Sequence, residues 1–189
     1  MNTRKMSSLA LVALTVLSML ACTIMVGGPD YPPQRIPVST EAAGEIQSAV
    51  QTAAALGLQT GTITLYLTEP QLTSYLAYKL QERPDPFITD PQVLLRDGQI
   101  TIYGTAQQGY FRATVQIVLS AGIDAEGQLK IELVSADFGP LPVPEGLREI
   151  ITATVQEAYT GAIGPVATGF RLESITIADG TMTVVGKIK

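Results

Sequence analysis

The chain contains no histidine, no tryptophan and a single cysteine among its 189 residues. General acid–base catalysis usually employs histidine or paired carboxylates with displaced pKa values, and the first of these is missing. A single cysteine cannot form an internal disulfide, so the fold has to rely on its hydrophobic core. The composition supports such a core, because 46% of the residues are hydrophobic and only 15% are charged.

Sequence motifs of catalysis and metal binding are also missing. There is no Gly-x-Ser-x-Gly elbow, no phosphate-binding loop and no histidine-containing metal motif. Asp97 and Asp179 precede glycines and are typical of turn chemistry. Asp85 and Asp90 share one loop but lack the ligand density of a calcium loop. We therefore predict a non-catalytic protein with neither a metal nor another cofactor.

Charge is sparse and scattered along the chain. The 12 Lys and Arg residues stand against 17 Asp and Glu residues, and no basic run occurs. Binding to a phosphate backbone needs clustered Lys and Arg, so nucleic acid is not an expected partner. An anionic membrane surface would not attract the domain electrostatically either. Membrane attachment would therefore depend on a lipid or on an apolar helix.

The N-terminus has the order of a bacterial export signal. Arg4 and Lys5 precede an uncharged apolar stretch over residues 9–20, and the small Ala21 precedes Cys22. The secretion machinery recognises and removes such segments, and a cysteine directly after the cleavage point accepts lipid in bacterial lipoproteins. We predict that residues 1–21 are a lipoprotein signal peptide and that Cys22 is lipidated. The protein would be anchored in the cell membrane and face away from the cytoplasm.

The cleavage site leaves two alternatives open. The tetrad from Met19 to Cys22 departs in part from the usual lipobox pattern. The uncharged stretch over residues 9–26 also approaches the roughly 17 to 25 residues of a membrane span, so it could remain as an uncleaved anchor. A plain secretory signal is the third interpretation, although no Ala-x-Ala site is present. With either anchor the domain lies outside the cytoplasm.

The remaining residues predict one α+β domain. Residues 22–38 are rich in Gly and Pro, which predicts a lipidated cysteine followed by an extended tether without packed structure. Residues 39–189 predict a long, curved antiparallel sheet of about six or seven strands that packs on two or three helices. Alternating apolar segments separated by turn residues support the sheet.

Caps and apolar spacing locate the helices. Ser39 or Thr40 can cap the first helix, and Gly57 is expected to end it. Thr68 and Gln71 form a capping box that opens the second helix. A third helix is expected after the Gly- and Pro-rich run over residues 139–144. Its apolar stripe consists of Leu147, Ile150, Ile151, Val155 and Ala158.

Two Asp-Gly hairpins resemble each other in the two halves of the chain. The turn at Asp97-Gly98 and the turn at Asp179-Gly180 lie between strands with the same alternation of apolar residues. Any two amphipathic hairpins look alike, which is one explanation. The other is a pseudo-repeat in which each half contributes a helix and an antiparallel sheet. Both stay open at this point.

Wide apolar stripes on the helices and the sheet favour a binding function. If these surfaces do not close completely, they leave an elongated apolar cavity for a lipid, with tyrosines at its mouth. If they do close, the domain is an envelope interaction or structural module with a protein partner. The residues expected to line the cavity are Leu72, Tyr75, Leu76, Val115, Ile117, Ile150, Ile151 and Val155, and the candidate tyrosines are Tyr66, Tyr75, Tyr78, Tyr103, Tyr110 and Tyr159.

Three segments carry a family resemblance. They are Thr68-Glu69-Pro70-Gln71-Leu72-Thr73, Asp97-Gly98-Gln99-Ile100 and Gly139-Pro140-Leu141-Pro142-Val143-Pro144. All three segments resemble the YpmS-like proteins of bacterial envelopes. They are more loosely similar to mycobacterial envelope phospholipid-binding proteins related to the tubular lipid-binding (TULIP-like) fold. The resemblance covers roughly residues 60–189. It implies a membrane-anchored extracytoplasmic domain with lipid binding, and it transfers no catalytic residue. The N-terminal anchor of YpmS-like proteins also favours the uncleaved interpretation.

Overall fold

The computed structural model describes residues 23–147, 149–151, 153 and 169–189. Two long helices and eight strands lie in this part of the chain, and the described residues from 147 to 153 are helical as well. The elements are β1 (Ile24–Met25), α1 (Thr40–Thr60), β2 (Thr62–Thr68), α2 (Glu69–Gln81), β3 (Thr89–Arg96), β4 (Gln99–Gln108), β5 (Phe111–Ile123), β6 (Leu129–Asp137), β7 (Phe170–Ala178) and β8 (Thr181–Ile188).

The strands form two sheets. One has the order β1-β5-β4-β3 with β6 also paired to β5, and the other has the order β2-β8-β7. All pairs are antiparallel except the parallel pair of β1 and β5. The α+β class and a curved sheet on helices are therefore confirmed. The expectation of one continuous antiparallel sheet is corrected, because the two hairpins meet at their turns instead of pairing along their strands.

The tips of the two similar hairpins are joined by a reciprocal pair of hydrogen bonds. The Gly98 amide donates to the Ile177 carbonyl at 3.1 Å, and the Gly180 amide donates to the Leu95 carbonyl at 3.0 Å. The two donors are thus equivalent positions of the two hairpins, and so are the two acceptors. Each hairpin also has a register irregularity in its first strand, and the two irregularities end at equivalent positions. This local pseudo-symmetry favours the pseudo-repeat over chance similarity.

The first turns of α2 form hydrogen bonds with both hairpins close to the point where their tips meet. The Thr68 and Gln71 side chains form the predicted capping box. At the first residue of the helix, the Glu69 amide donates to the Gly180 carbonyl at 3.1 Å, and its carboxylate accepts from the Leu95 amide at 2.8 Å. One turn further, the fully buried Thr73 hydroxyl accepts from the Val93 amide at 3.0 Å. Helix α2 thus satisfies backbone groups in both hairpins.

Helix α1 runs past the glycine that was expected to end it. It continues to Thr60 and is capped by Gly61, whose φ of 79° is the left-handed conformation that glycine adopts easily. Gly57 is buried instead against the ring of Phe170. A Cβ at Gly57 would lie 2.8 Å from two ring carbons. The prediction failed because this glycine provides room for a side chain distant in sequence, which helix-end rules do not consider.

Residues 23–39, here called the N-terminal strap, are packed and not a free tether. The Ile24 and Val26 amides donate to the Tyr110 and Arg112 carbonyls at 2.7 and 2.8 Å, and the Thr114 amide donates to the Gly27 carbonyl at 2.9 Å. The composition predicted an extended tether, and Ile24–Met25 form a short strand in this segment. It did not predict packing, because extended backbone can also pair with an open sheet edge.

Aromatic and cationic side chains connect the middle of the strap to the sheet. The ring of Tyr31 lies 6.0 Å from that of Tyr103, and the Arg35 guanidinium lies 4.6 Å above the Tyr31 ring. Burial raises the pKa of Tyr31, Arg35 opposes this shift and Asp90 adds to it. The hydroxyl therefore stays protonated at neutral pH and donates to the Asp90 carbonyl.

The buried side chain of Gln92 holds the end of the strap. Its Oε1 accepts from the Ile36 amide at 2.6 Å and its Nε2 donates to the Ile36 carbonyl at 3.1 Å. The Ser39 amide then donates to the Ser74 hydroxyl of α2 at 3.1 Å. The Ser39 side chain caps α1, as predicted. The strap is thus connected at both ends to the folded domain.

Within the described residues, no helix combines the length and the apolar character that crossing a membrane requires. The N-terminal apolar stretch that could act as an uncleaved anchor lies almost wholly outside these residues. So does most of the predicted third helix, of which Leu147, Ile150 and Ile151 are described and helical.

Two glycines of α1 provide a matched test of packing. A Cβ at Gly44 would meet no atom within 4 Å, whereas one at Gly57 would collide with Phe170. We expect Gly44→Ala to raise the free energy of unfolding by about 0.5–1 kcal/mol through helix propensity. Gly57→Ala should lower it by about 1–2 kcal/mol, because overpacking outweighs that gain. Urea unfolding measures both, and equal stabilisation by the two substitutions would contradict this packing.

The contribution of the strap can be measured at Gln92. Gln92→Ala removes both bonds to Ile36 and should lower the free energy of unfolding by about 1–2 kcal/mol, because the partly buried amide and carbonyl of Ile36 lose their partners. The same variant should be cut more rapidly within residues 23–39 by a protease. Gln51→Ala, at an exposed position of α1, is the control and should change neither. An unchanged cleavage rate in Gln92→Ala would show that Gln92 does not hold the strap.

Candidate ligand-binding cleft

A cleft of about 630 Å³ opens where β4 ends. Its walls come from the loop after α2, the last residues of β4, the loop after β6 and the first turn of the third helix. The lining consists of Asp85, Pro86, Phe87, Ala106, Gln107, Gln108, Phe138, Leu141, Pro142, Val143, Pro144, Glu145 and Ile150. Its volume falls in the roughly 300–1,000 Å³ range of ligand pockets.

The loop after β6 forms one wall because its backbone cannot continue the sheet. The Asp137 carboxylate accepts from the Gly139 amide at 2.8 Å, and Gly139 has a φ of 57°. A Cβ there would lie 2.7 Å from the Cα of Gly28 in the strap. Pro142 and Pro144 then remove two backbone donors that a strand would need. The loop therefore turns against the strap and presents its apolar side chains to the cleft.

The cleft has both apolar and polar lining residues. Phe87, Phe138 and Leu141 contribute apolar surface, whereas two carboxylates, two amides and no Lys or Arg are among the lining residues. Carboxylates repel an anionic group and tolerate an uncharged or cationic one. The arrangement is therefore chemically suited to an apolar molecule whose polar end is not negatively charged.

Metal binding has no support from the described part of the chain. No group of three or more His, Cys, Asp or Glu side chains in that part is arranged to hold an ion. Asp85 lines the cleft, whereas Asp90 lies at the irregular start of β3 with a φ of 50° and uses its carbonyl to bind Tyr31. The two residues thus have different structural environments.

The predicted cavity residues are distributed over three environments. Val115 and Ile117 are fully buried in the core, with 0% and 1% exposure. Ile150 lines the cleft, and Val155 lies outside the described residues. The remaining residues are partly buried and pack against the core; they are Leu72, Tyr75, Leu76 and Ile151. Within the described residues, Ile150 alone of this set lines the cleft.

The tyrosines do not gather at the mouth of the cleft. Tyr75 and Tyr78 line a separate groove of about 360 Å³ between the start of α1 and α2. Tyr103 packs against Tyr31 of the strap, and its hydroxyl accepts from the Gln116 side chain at 2.8 Å. Tyr66 and Tyr110 are 60% and 62% exposed. Tyr159 lies outside the described residues.

Several cleft residues were missed because their segment was interpreted only as the Gly- and Pro-rich run that leads into the third helix. Phe138, Leu141 and Val143 belong to or adjoin the Pro-rich run after β6. A signal was present, because apolar residues alternate with prolines there and prolines keep such residues from joining a sheet. The Gln107–Gln108 pair at the end of β4 carried no comparable signal, since glutamines next to a glycine also suit an exposed turn.

Comparison with known proteins adds no family assignment. No protein-family model matches the chain, and no curated protein matches its sequence. The resemblance to YpmS-like and TULIP-like proteins therefore stays a prediction from the three motifs.

The apolar character of the cleft can be tested with two half-exposed valines. Val143 lines the cleft and is 50% exposed, while Val134 lies on β6 and is 52% exposed. We expect the neutral dye Nile red to bind Val143→Asp about tenfold more weakly than the original chain, a change of about 1.4 kcal/mol. Val134→Asp is the control and should bind normally. Fluorescence titration measures both affinities, and equal affinities would contradict dye binding in the cleft.

Proposed function

We propose that this protein is a non-catalytic, membrane-tethered extracytoplasmic lipoprotein that binds a lipid or another apolar molecule in the cleft. The main support is a continuous register across three strands. Gln108 of the cleft pairs with Phe111, which pairs with Ile24. Neighbouring strands are about 4.8 Å apart, so the cleft wall lies about 10 Å from β1. Ile24 is two residues after the proposed lipid acceptor, Cys22.

The lining of the cleft supports a particular class of ligand. Apolar walls favour an acyl chain or a similarly greasy group. Asp85 and Glu145 in the lining disfavour a free fatty-acid carboxylate there. We therefore expect a neutral or zwitterionic lipid to bind in preference to a fatty acid.

The proposal includes a distant relationship to the TULIP-like fold. It is supported by the pseudo-symmetric hairpins, each of which follows a helical segment, and by the three motifs described above. The relationship would explain an apolar binding region in a domain that has two small sheets. It is an inference from architecture and motifs rather than from a matched relative.

A second candidate function is an interaction module of the cell envelope. One observation favours it: Val115 and Ile117, which a central cavity would expose, are completely enclosed by the core. A protein with a filled core would use its surface to bind a protein partner. The two candidates differ in whether the cleft contains a ligand after purification.

Lipidation of Cys22 is the first expected outcome. A bacterial culture that produces the full chain and receives an alkyne fatty acid should yield labelled protein, because the acylated cysteine retains the probe. The Cys22→Ala variant should lose the label entirely, since it lacks the chain's single cysteine. Equal labelling of the two proteins, or none in either, would contradict the lipid tether.

Native mass spectrometry followed by solvent extraction tests whether the cleft of the purified protein contains a lipid. Native mass spectrometry should detect non-covalent lipid in the original chain, and Val143→Asp should retain much less of it. Val134→Asp should retain as much as the original. An empty cleft in labelled, membrane-bound protein would favour the interaction module and leave the tether unaffected.

A further inference from the structure

We propose that the domain rests directly on the lipid bilayer through an apolar patch at the start of β5. The patch consists of Ile24, Met25, Tyr110 and Phe111, here called the bilayer patch. Their exposed fractions are 54%, 58%, 62% and 49%. This inference rests on the proposed membrane tether and adds to it a contact surface and an orientation of the domain.

Strand pairing gathers the four residues at one edge of the sheet. Ile24 is in register with Phe111, and Met25 is in register with Arg112. The Ile24 amide donates to the Tyr110 carbonyl at 2.7 Å, which places the turn between β4 and β5 beside β1. Residues distant in sequence thus lie together at this end of the sheet, with Ile24 and Phe111 on one face and Met25 and Arg112 on the other.

Because the proposed anchor lies close to this patch, we expect the patch to contact the lipid bilayer. Thr23 alone separates Cys22 from β1. Because an extended chain spans about 3.3–3.6 Å per residue, the point of attachment lies within roughly 10 Å of Ile24. An uncleaved apolar stretch over residues 9–26 would include Ile24 and Met25 themselves, so with either anchor the patch lies at the point of attachment. A second copy of the chain has no comparable reason to meet this edge.

The strap prevents the domain from moving away from its anchor. Beyond β1, the Val26 amide donates to the Arg112 carbonyl at 2.8 Å and the Gly27 carbonyl accepts from the Thr114 amide at 2.9 Å. A flexible tether would let the domain rotate freely. Hydrogen bonds that begin two residues after the attachment point instead limit how far this end of the sheet can move from the membrane.

The side chains of the patch match the membrane interface. Aromatic residues with an apolar ring are enriched there, and Ile and Met supply apolar surface. Arg112, the register partner of Met25, adds one partly exposed cation to this end of the sheet. Tyr66 and Val134, in contrast, are exposed on other strands as single apolar side chains.

The orientation gives the cleft a direct relation to the membrane. Gln107 and Gln108 of its wall are the register partners of Arg112 and Phe111. A bilayer at the patch therefore lies beside the cleft, so an apolar ligand can pass between the two with a short path through water. A domain held away from the surface would expose the ligand to water over a longer path.

The absence of tryptophan from the chain allows a single-tryptophan test. The full chain carrying Phe111→Trp is reconstituted in vesicles of phosphatidylethanolamine and phosphatidylglycerol, with and without brominated acyl chains. An interfacial side chain lies about 5–10 Å into the headgroup region, so brominated lipid should remove roughly half of its emission. Tyr66→Trp, at an exposed position on β2, is the matched control and should keep its emission.

The outcomes separate the patch from the tether and from the cleft. Vesicle co-sedimentation reports the tether, and protein that fails to co-sediment would contradict both the tether and the patch. Co-sedimentation without quenching of Phe111→Trp would overturn the patch alone, as would equal quenching of the two variants. Tyr110→Trp is the second patch variant and should be quenched like Phe111→Trp if the latter folds poorly. Quenching at the patch in a chain whose cleft holds no lipid would support the patch and contradict ligand binding.

Discussion

The two edges of β5 organise the molecule. One edge pairs with β4 along the whole length of that strand, and the other pairs with β1 at the start of β5 and with β6 from Gln116 onward. An unpaired sheet edge leaves amide and carbonyl groups available to another chain, and β1 removes this exposure where β6 does not reach. The same pairing brings the N-terminal strap, the turn between β4 and β5 and the cleft to one end of the sheet.

Close backbone approach is a second constraint, and it explains several glycines. Gly28 has a φ of 119° and lies so near the Thr114 carbonyl that a side chain cannot be accommodated. Gly57 makes room for the ring of Phe170, and Gly139 approaches Gly28. At these positions the absence of a side chain lets the strap, α1 and the loop after β6 come together with their neighbours. Tight packing of this kind limits how far any of the three can move independently.

Local features of the fold could be predicted from particular residues. The Asp97-Gly98 and Asp179-Gly180 turns have positive φ angles at both residues, and the capping box at Thr68 is formed, because turn and cap chemistry acts over a few residues. The division into two sheets could not be predicted in this way. It depends on which distant strands pair with each other, and alternation of apolar residues contains no information on that choice.

The candidate site could be predicted from the sequence less completely than the fold. Ile150 lines the cleft, whereas Val115 and Ile117 fill the core, since a pattern of apolar residues does not distinguish a packed interior from an open one. The sequence by itself determined the turns, the caps and the apolar segments, because these depend on neighbouring residues, and it predicts the anchor at Cys22. Only the tertiary structure decided that the strap packs on the sheet and that the cleft opens beside it, because long-range contacts determine which apolar surfaces are covered.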